Sequence, residues 1–281
     1  MARKVVSELD AHTFAHEYLG PNRPVLVRGA LASASWTPPW SLDSLIERFG
    51  DRKVALTDTL FAIIRFSTLA QYAARYTGEG VKGIPLYLRW FVRQNTREVP
   101  WADEVFEGLA DDWAMPSWLP DRDYVFPEST GPIDAARDPF PAKGLFICGR
   151  GGRTRLHTDP WATDACLCQV TGTKQLIMYP PGTDEFLGPD GQVVDLDAPD
   201  EGMFPRWRQA VPAFDEVLRP GDAAFIPSGW YHTAIALEDS VSITWNFVHR
   251  THASRFEEYL RSGGSEDSTV RYFLGLDADD A

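Results

Sequence analysis

Between residues 144 and 248 the apolar positions gather in short runs, and Gly or Pro separates most of them. Gly144 to Cys148, Ala165 to Val170, Lys174 to Tyr179, Ala223 to Pro227 and Val241 to Val248 are each rich in strand-forming residues. Thr171-Gly172, Pro180-Pro181-Gly182 and Pro220-Gly221-Asp222 supply the turns. Short strands at this spacing predict a sandwich or barrel. Residues 7–77 have a mixed α/β texture. Pro24 to Gly29 predicts a strand, and Ser41 to Phe49 a short amphipathic helix with Ser41 as N-cap and Gly50 as its stop. Residues 83–143 hold one apolar strand, Leu86-Tyr87-Leu88, followed by an irregular stretch rich in Trp, Pro and Asp. Within it, Pro127 to Pro141 is expected to be the most mobile segment. A helix is predicted over 254–262, followed by an acidic, solvated tail from Asp277 to Ala281. No internal repeat is visible.

One short motif carries chemistry. In Leu156-His157-Thr158-Asp159-Pro160, residues two apart on a strand point to the same face, so His157 and Asp159 aim together into the barrel. Pro160 removes a backbone donor and ends the strand. An imidazole and a carboxylate so placed are two of the three ligands of a two-His, one-carboxylate metal face. The third should be a His on a distant strand, and His232, in Ser228-Gly229-Trp230-Tyr231-His232, follows the right turn and strand. Such a face leaves positions open and suits non-haem Fe(II) better than a closed zinc site. An H-x-D alone is common on surface loops. Its combination with a P-G-D turn and a late G-x-x-H in one β-rich segment is not.

Composition narrows the class. Hydrophobic residues make up 44% and charged residues 24% of 281, as in a globular chain with a sizeable core. The net charge of −13 argues against a nucleic-acid partner, which needs Lys and Arg for phosphates, and against an anionic membrane surface. The first ten residues lack the apolar stretch of a signal peptide, and no apolar run is long enough to span a membrane. Three cysteines, Cys148, Cys166 and Cys168, give no disulfide framework. The expectation is a cytoplasmic protein.

The residues resemble those of the JmjC/cupin-type Fe(II)- and 2-oxoglutarate-dependent oxygenases, in particular the JmjC hydroxylases of protein side chains, such as the lysyl hydroxylases. The resemblance covers Phe14 to Lys53, Pro85 to Trp90 and, most densely, Gly144 to Val248. It implies a mainly β fold, a double-stranded β-helix (jelly-roll or cupin) core with N-terminal α/β elements and a C-terminal helix. It implies one JmjC-like domain over 1–281, divided into 1–143, 144–248 and 249–281. The implied ligands are Fe(II) on His157, Asp159 and His232, 2-oxoglutarate as cosubstrate, and O2. The implied reaction is C–H hydroxylation of an amino-acid side chain in a peptide, protein or small molecule, with release of succinate and CO2. Lys174 matches the lysine that pairs with the far carboxylate of 2-oxoglutarate, and Thr154 a hydroxyl donor to the same group. Asn246 matches an amide near the oxoacid end, and Tyr87 a phenol reaching in from the N-terminal part. A homodimer is among the expected assemblies.

Several expectations are exposed to test. Strict alternation from His157 would turn Thr154 outward, so its role needs an irregular backbone near Gly151-Gly152. Leu167 stands where the family often has Asn, and Trp90 where it usually has an acidic residue, which touches substrate preference. Arg150, Arg153 and Arg155 form either a solvated rim or a clamp for an acidic substrate group. Residues 89–141 are expected to wall the metal, with 182–212 as the alternative. The rival class is a metal-binding cupin without catalysis, serving as a binding or regulatory module.

Overall fold

The structure is a computed structural model and describes residues 3–32 and 40–276; the acidic tail lies outside the described residues. Its strands are β1 (Val5–Val6), β2 (Val25–Val27), β3 (Lys53–Thr57), β4 (Ile63–Thr68), β5 (Tyr87–Phe91), β6 (Tyr124–Phe126) and β7 (Gly144–Cys148). They continue as β8 (Arg153–His157), β9 (Asp164–Thr171), β10 (Lys174–Tyr179), β11 (Phe214–Leu218), β12 (Ala223–Ile226), β13 (Tyr231–Ala236) and β14 (Ser240–His249).

Two sheets form. The larger has the order β1-β2-β12-β9-β14-β7-β5-β3-β4, with β6 also on β14, and the smaller the order β11-β10-β13-β8. Most pairings are antiparallel, and side chains alternate between the two faces of each strand. On β14, Val241, Ile243, Trp245 and Phe247 enter the main hydrophobic core. Thr244 and Asn246 face the cavity between the sheets instead. On β5, Leu88 and Trp90 enter the core, and Tyr87, Arg89 and Phe91 the cavity. The mainly β, cupin-like architecture expected from the sequence is therefore the one observed.

Outside the sheets, the helix Leu42–Phe49 is opened by Ser41, whose side chain accepts from the Ser44 N–H at 3.0 Å. The helix expected over 254–262 spans Ala253–Arg261, and a shorter one, Ser268–Phe273, follows it. The stretch 83–143 is more ordered than its composition suggests. Asp103–Leu109 is a helix, and Val105, Phe106 and Leu109 bury against Trp113 and Trp118 in the main core. Seven residues give too short a period to show as a helix in sequence. No helix among the described residues is long and apolar enough to cross a membrane.

Candidate metal and oxoacid site

His157 ends β8 and His232 lies directly opposite it on β13. Their ring centroids are 4.2 Å apart. Asp159 Oδ1 lies 3.9 Å from His157 Nε2 and 3.8 Å from His232 Nε2. Two metal–ligand bonds of about 2.1 Å span at most about 4.2 Å, so both carboxylate–imidazole gaps already suit one ion. This is the one group of three or more His, Cys, Asp or Glu among the described residues with metal-binding geometry.

The rings are oriented by their own strands. His157 Nδ1 lies 2.9 Å from the Arg155 carbonyl, and His232 Nδ1 lies 3.0 Å from the Trp230 carbonyl. A carbonyl only accepts, so both Nδ1 atoms carry the proton and both Nε2 lone pairs face Asp159. Burial, with the neighbouring His232 next, holds the His157 imidazole well below its usual pKa of 6.5 and keeps it neutral. Burial raises the Asp159 carboxyl. A neutral His157 imidazole, the His232 ring and a poorly solvated carboxylate are a donor set that a divalent cation would stabilise.

The backbone after Asp159 is strained. Trp161 and Ala162 follow Pro160 with φ of 59° and 52°, in the left-handed region. Thr163 Oγ1 ties the turn by donating to the Pro160 carbonyl at 2.7 Å. Asn246 Nδ2 in turn donates to Thr163 Oγ1 at 2.8 Å. Asn246 thus sits in the cavity wall, with its amide on Thr163 in the turn after Asp159.

Lys174 opens β10 after the Thr171-Gly172-Thr173 turn. Gly172 has a φ of +66°, and a Cβ there would collide with the Asp239 carbonyl. Lys174 is 1% exposed. Its Nζ donates to Ser242 Oγ at 2.6 Å and to the Tyr87 phenol at 3.0 Å. Tyr87 is buried, which pushes its pKa well above 10 and keeps the phenol protonated. Ser242 Oγ donates in turn to Gln169 Oε1 at 2.8 Å. No carboxylate pairs with Lys174 among the described residues.

Thr154 also faces this cavity. The device is a β-bulge: His232 pairs with His157 and Ala234 with Thr154, so between these pairs one residue of β13 opposes two of β8. The irregularity lies inside β8, between Thr154 and His157, and not at Gly151-Gly152. Thr154 Oγ1 accepts from Arg89 Nη2 at 2.8 Å.

Three expectations need correction. The Arg150/Arg153/Arg155 cluster does not line the cavity. Arg153 pairs with Asp197, and Arg155 with Asp195 at 3.1 Å, so the chain's own acids on the 182–212 segment satisfy both outside the small sheet. Trp90 faces the core, so its departure from the family pattern does not touch the cavity. The wall over the metal face is narrower than 89–141. It comes from Arg89 to Trp101 and from the β3–β4 hairpin, including Leu60, Phe61 and Ile63. Leu167 does line the cavity, as the departure implied. Cys166 and Cys168 are core residues, and His252 is buried against Asp164 at 2.8 Å.

Comparison with known proteins decides the family. Residues 86–254 match the cupin-like domain. The chain belongs to the cupin-like family. This cupin-like chain is 24% identical over 270 residues to the arginine-specific demethylase JMJ22 of Arabidopsis thaliana, covering 93% of this chain and 49% of that protein. It is 24% identical over 271 residues to the 2-oxoglutarate and iron-dependent oxygenase JMJD4 of Gallus gallus, covering 84% and 57%. It is 26% identical over 267 residues to the tRNA wybutosine-synthesizing protein 5 of Danio rerio, covering 87% and 74%. The cupin-like chain thus spans about half the length of the first two relatives.

The buried imidazole sets a pH dependence. Below about 6.5 the unfolded chain takes a proton on His157 that the folded, metal-free chain refuses, so stability falls as pH falls. The expected result is a lower melting temperature for metal-free protein at pH 5.5 than at pH 7, and a shallower fall in His157→Gln. An equal slope in parent and variant would assign the acid sensitivity elsewhere.

Proposed function

We propose that this protein is an Fe(II)- and 2-oxoglutarate-dependent oxygenase that hydroxylates a C–H bond of an amino-acid side chain in a peptide, protein or small molecule, releasing succinate and CO2. The observation that carries this reading is the pairing of a two-His, one-carboxylate face with a buried lysine that has no acidic partner, in one cavity of about 580 Å³. A metal-binding module without catalysis has no use for that lysine. Burying an ammonium without a counter-charge is costly, and a carboxylate-bearing ligand relieves the cost.

His157, Asp159 and His232 would hold the metal on one face and leave its other positions to ligands. Bound iron would supply activation of O2 coupled to decarboxylation of the oxoacid. The chain supplies the rest. Lys174 and the Tyr87 phenol fix the far carboxylate of the cosubstrate, and Asn246 and Thr163 fix the Asp159 turn. Leu60, Phe61, Phe91, Val99, Pro100 and Trp101 keep the mouth apolar and exclude water.

The lining also bears on the substrate. It contains Arg89, Arg97 and Lys174 but only one acid, Asp159, which the metal would occupy. With the cosubstrate on Lys174, a methylated lysine or arginine would still need an acid that the lining lacks. A neutral or acidic side chain would not, which favours hydroxylation over demethylation. The net charge of −13 likewise favours a peptide, protein or small-molecule substrate over a nucleic acid.

The test is anaerobic titration of 2-oxoglutarate into the Fe(II)-loaded protein, followed by exposure to O2. The expected result is a visible charge-transfer absorption that depends on both additions, then succinate formation. Metal binding with neither signal would return the protein to the binding-module class.

A further inference from the structure

Nothing in the sequence marks Arg89, yet it is 3% exposed and lines the cavity beside Tyr87, Thr154 and Lys174. Its guanidinium lies 4.0 Å from the centroid of the Tyr87 ring and 4.2 Å from that of Phe61, held between the two aromatics. Nη1 donates to Thr57 Oγ1 and to the Asp58 carbonyl, and Nη2 donates to Thr154 Oγ1. Nε is buried and has no hydrogen-bond partner. All of these acceptors are neutral, and no carboxylate pairs with Arg89 among the described residues. The cavity therefore contains two buried cations against one metal-facing carboxylate. The Tyr87 side chain joins them, since Lys174 donates to its hydroxyl and Arg89 stacks on its ring.

We infer that Arg89 is a second cation of the cosubstrate site, binding the far carboxylate of 2-oxoglutarate together with Lys174. The inference rests on the oxygenase reading above. Three features favour this carboxylate over one on the substrate. Thr154, having accepted from Arg89, keeps its own hydroxyl proton for an anion at the same place. Tyr87, having accepted from Lys174, does likewise. The free Nε–H of Arg89 is an unfilled donor on a guanidinium whose other bonds hold it rigid, and such a fork suits a carboxylate. Four donors thus surround one anionic group: Lys174, Arg89, Thr154 and Tyr87. Leu167, at the position where the family often has Asn, leaves an amide contact missing that a second cation would offset.

The experiment measures binding, with Mn(II) in place of Fe(II), by calorimetry. The probes are 2-oxoglutarate and 2-oxobutyrate, which has the same oxoacid end and no far carboxylate. For the parent, 2-oxoglutarate should bind far more tightly than 2-oxobutyrate. Arg89→Gln should weaken 2-oxoglutarate about ten- to a hundredfold, the loss expected for a charge-assisted contact, and leave 2-oxobutyrate within about twofold. Unchanged 2-oxoglutarate affinity, or equal losses for both probes, would overturn the inference while leaving the oxygenase reading intact. Failure of the parent to bind 2-oxoglutarate would overturn both. Lys174→Met covers the case in which Arg89→Gln folds poorly. With Arg89 in place this variant should still prefer 2-oxoglutarate by about fivefold or more, a fraction of one charge-assisted contact, and complete loss of preference would refute a role for Arg89.

Discussion

Asp159→Ala is expected to abolish metal retention at neutral pH while circular dichroism and the melting transition keep their cooperative form. Asp159 ends the segment that leaves β8 and belongs to no hydrophobic cluster, so its removal opens no cavity in the core. It takes away the one charged donor of the face. Loss of a supporting residue around a metal site costs about 10- to 100-fold in affinity, and loss of a ligand should exceed that. His232→Ala should behave alike, since His232 Nε2 is aimed by its Trp230 contact at the same point. Calorimetric titration with Mn(II) checks both. Parent-like affinity in the two variants would remove the metal centre from this face.

Lys174→Met should separate ligand binding from stability. Binding of 2-oxoglutarate should weaken about ten- to a hundredfold, because a charge-assisted contact contributes about 1.5–3 kcal/mol. The ligand-free variant should melt at the same temperature as the parent or higher. Burial already lowers the Lys174 pKa, a sign that the ammonium is held at a cost, and methionine fills a similar volume without a charge. A large drop in melting temperature with unchanged 2-oxoglutarate affinity would make Lys174 a structural residue and take it out of the anion site.

Much of this site was legible in the sequence because its parts lie in short strands with regular alternation. The H-x-D motif placed His157 and Asp159 on one face, and the P-G-D turn located the strand before His232. Lys174 and Tyr87 came only through the family resemblance, and the structure joins them by a hydrogen bond of 3.0 Å. Three things were hidden. Arg89 was invisible because an arginine inside an apolar strand reads as a solvent-facing interruption, and only the pairing of β5 with β7 and β3 turns it inward. The arginines of β8 looked available because their partners, Asp195 and Asp197, lie some forty residues away in sequence. The placement of Thr154 required an irregular pairing that no single strand discloses.

The bulge in β8 does more than aim two side chains. Thr154 and His157 would also share a face in a regular strand shorter by one residue, so orientation alone does not require the extra position. What the extra position releases is the backbone N–H and C=O of one residue. Arg155 has no partner in the register of β13. Its N–H donates to the Thr59 carbonyl at 3.0 Å, and its C=O receives His157 Nδ1 at 2.9 Å. One unladdered residue therefore ties the β3–β4 hairpin to the small sheet through its N–H and, through its C=O, selects which imidazole nitrogen stays bare. Deleting Arg155 would tidy the ladder and preserve the side-chain pattern, yet it would take away the acceptor that settles the His157 tautomer. Chain length at this point is thus a chemical variable, as consequential for the metal face as the identity of its ligands.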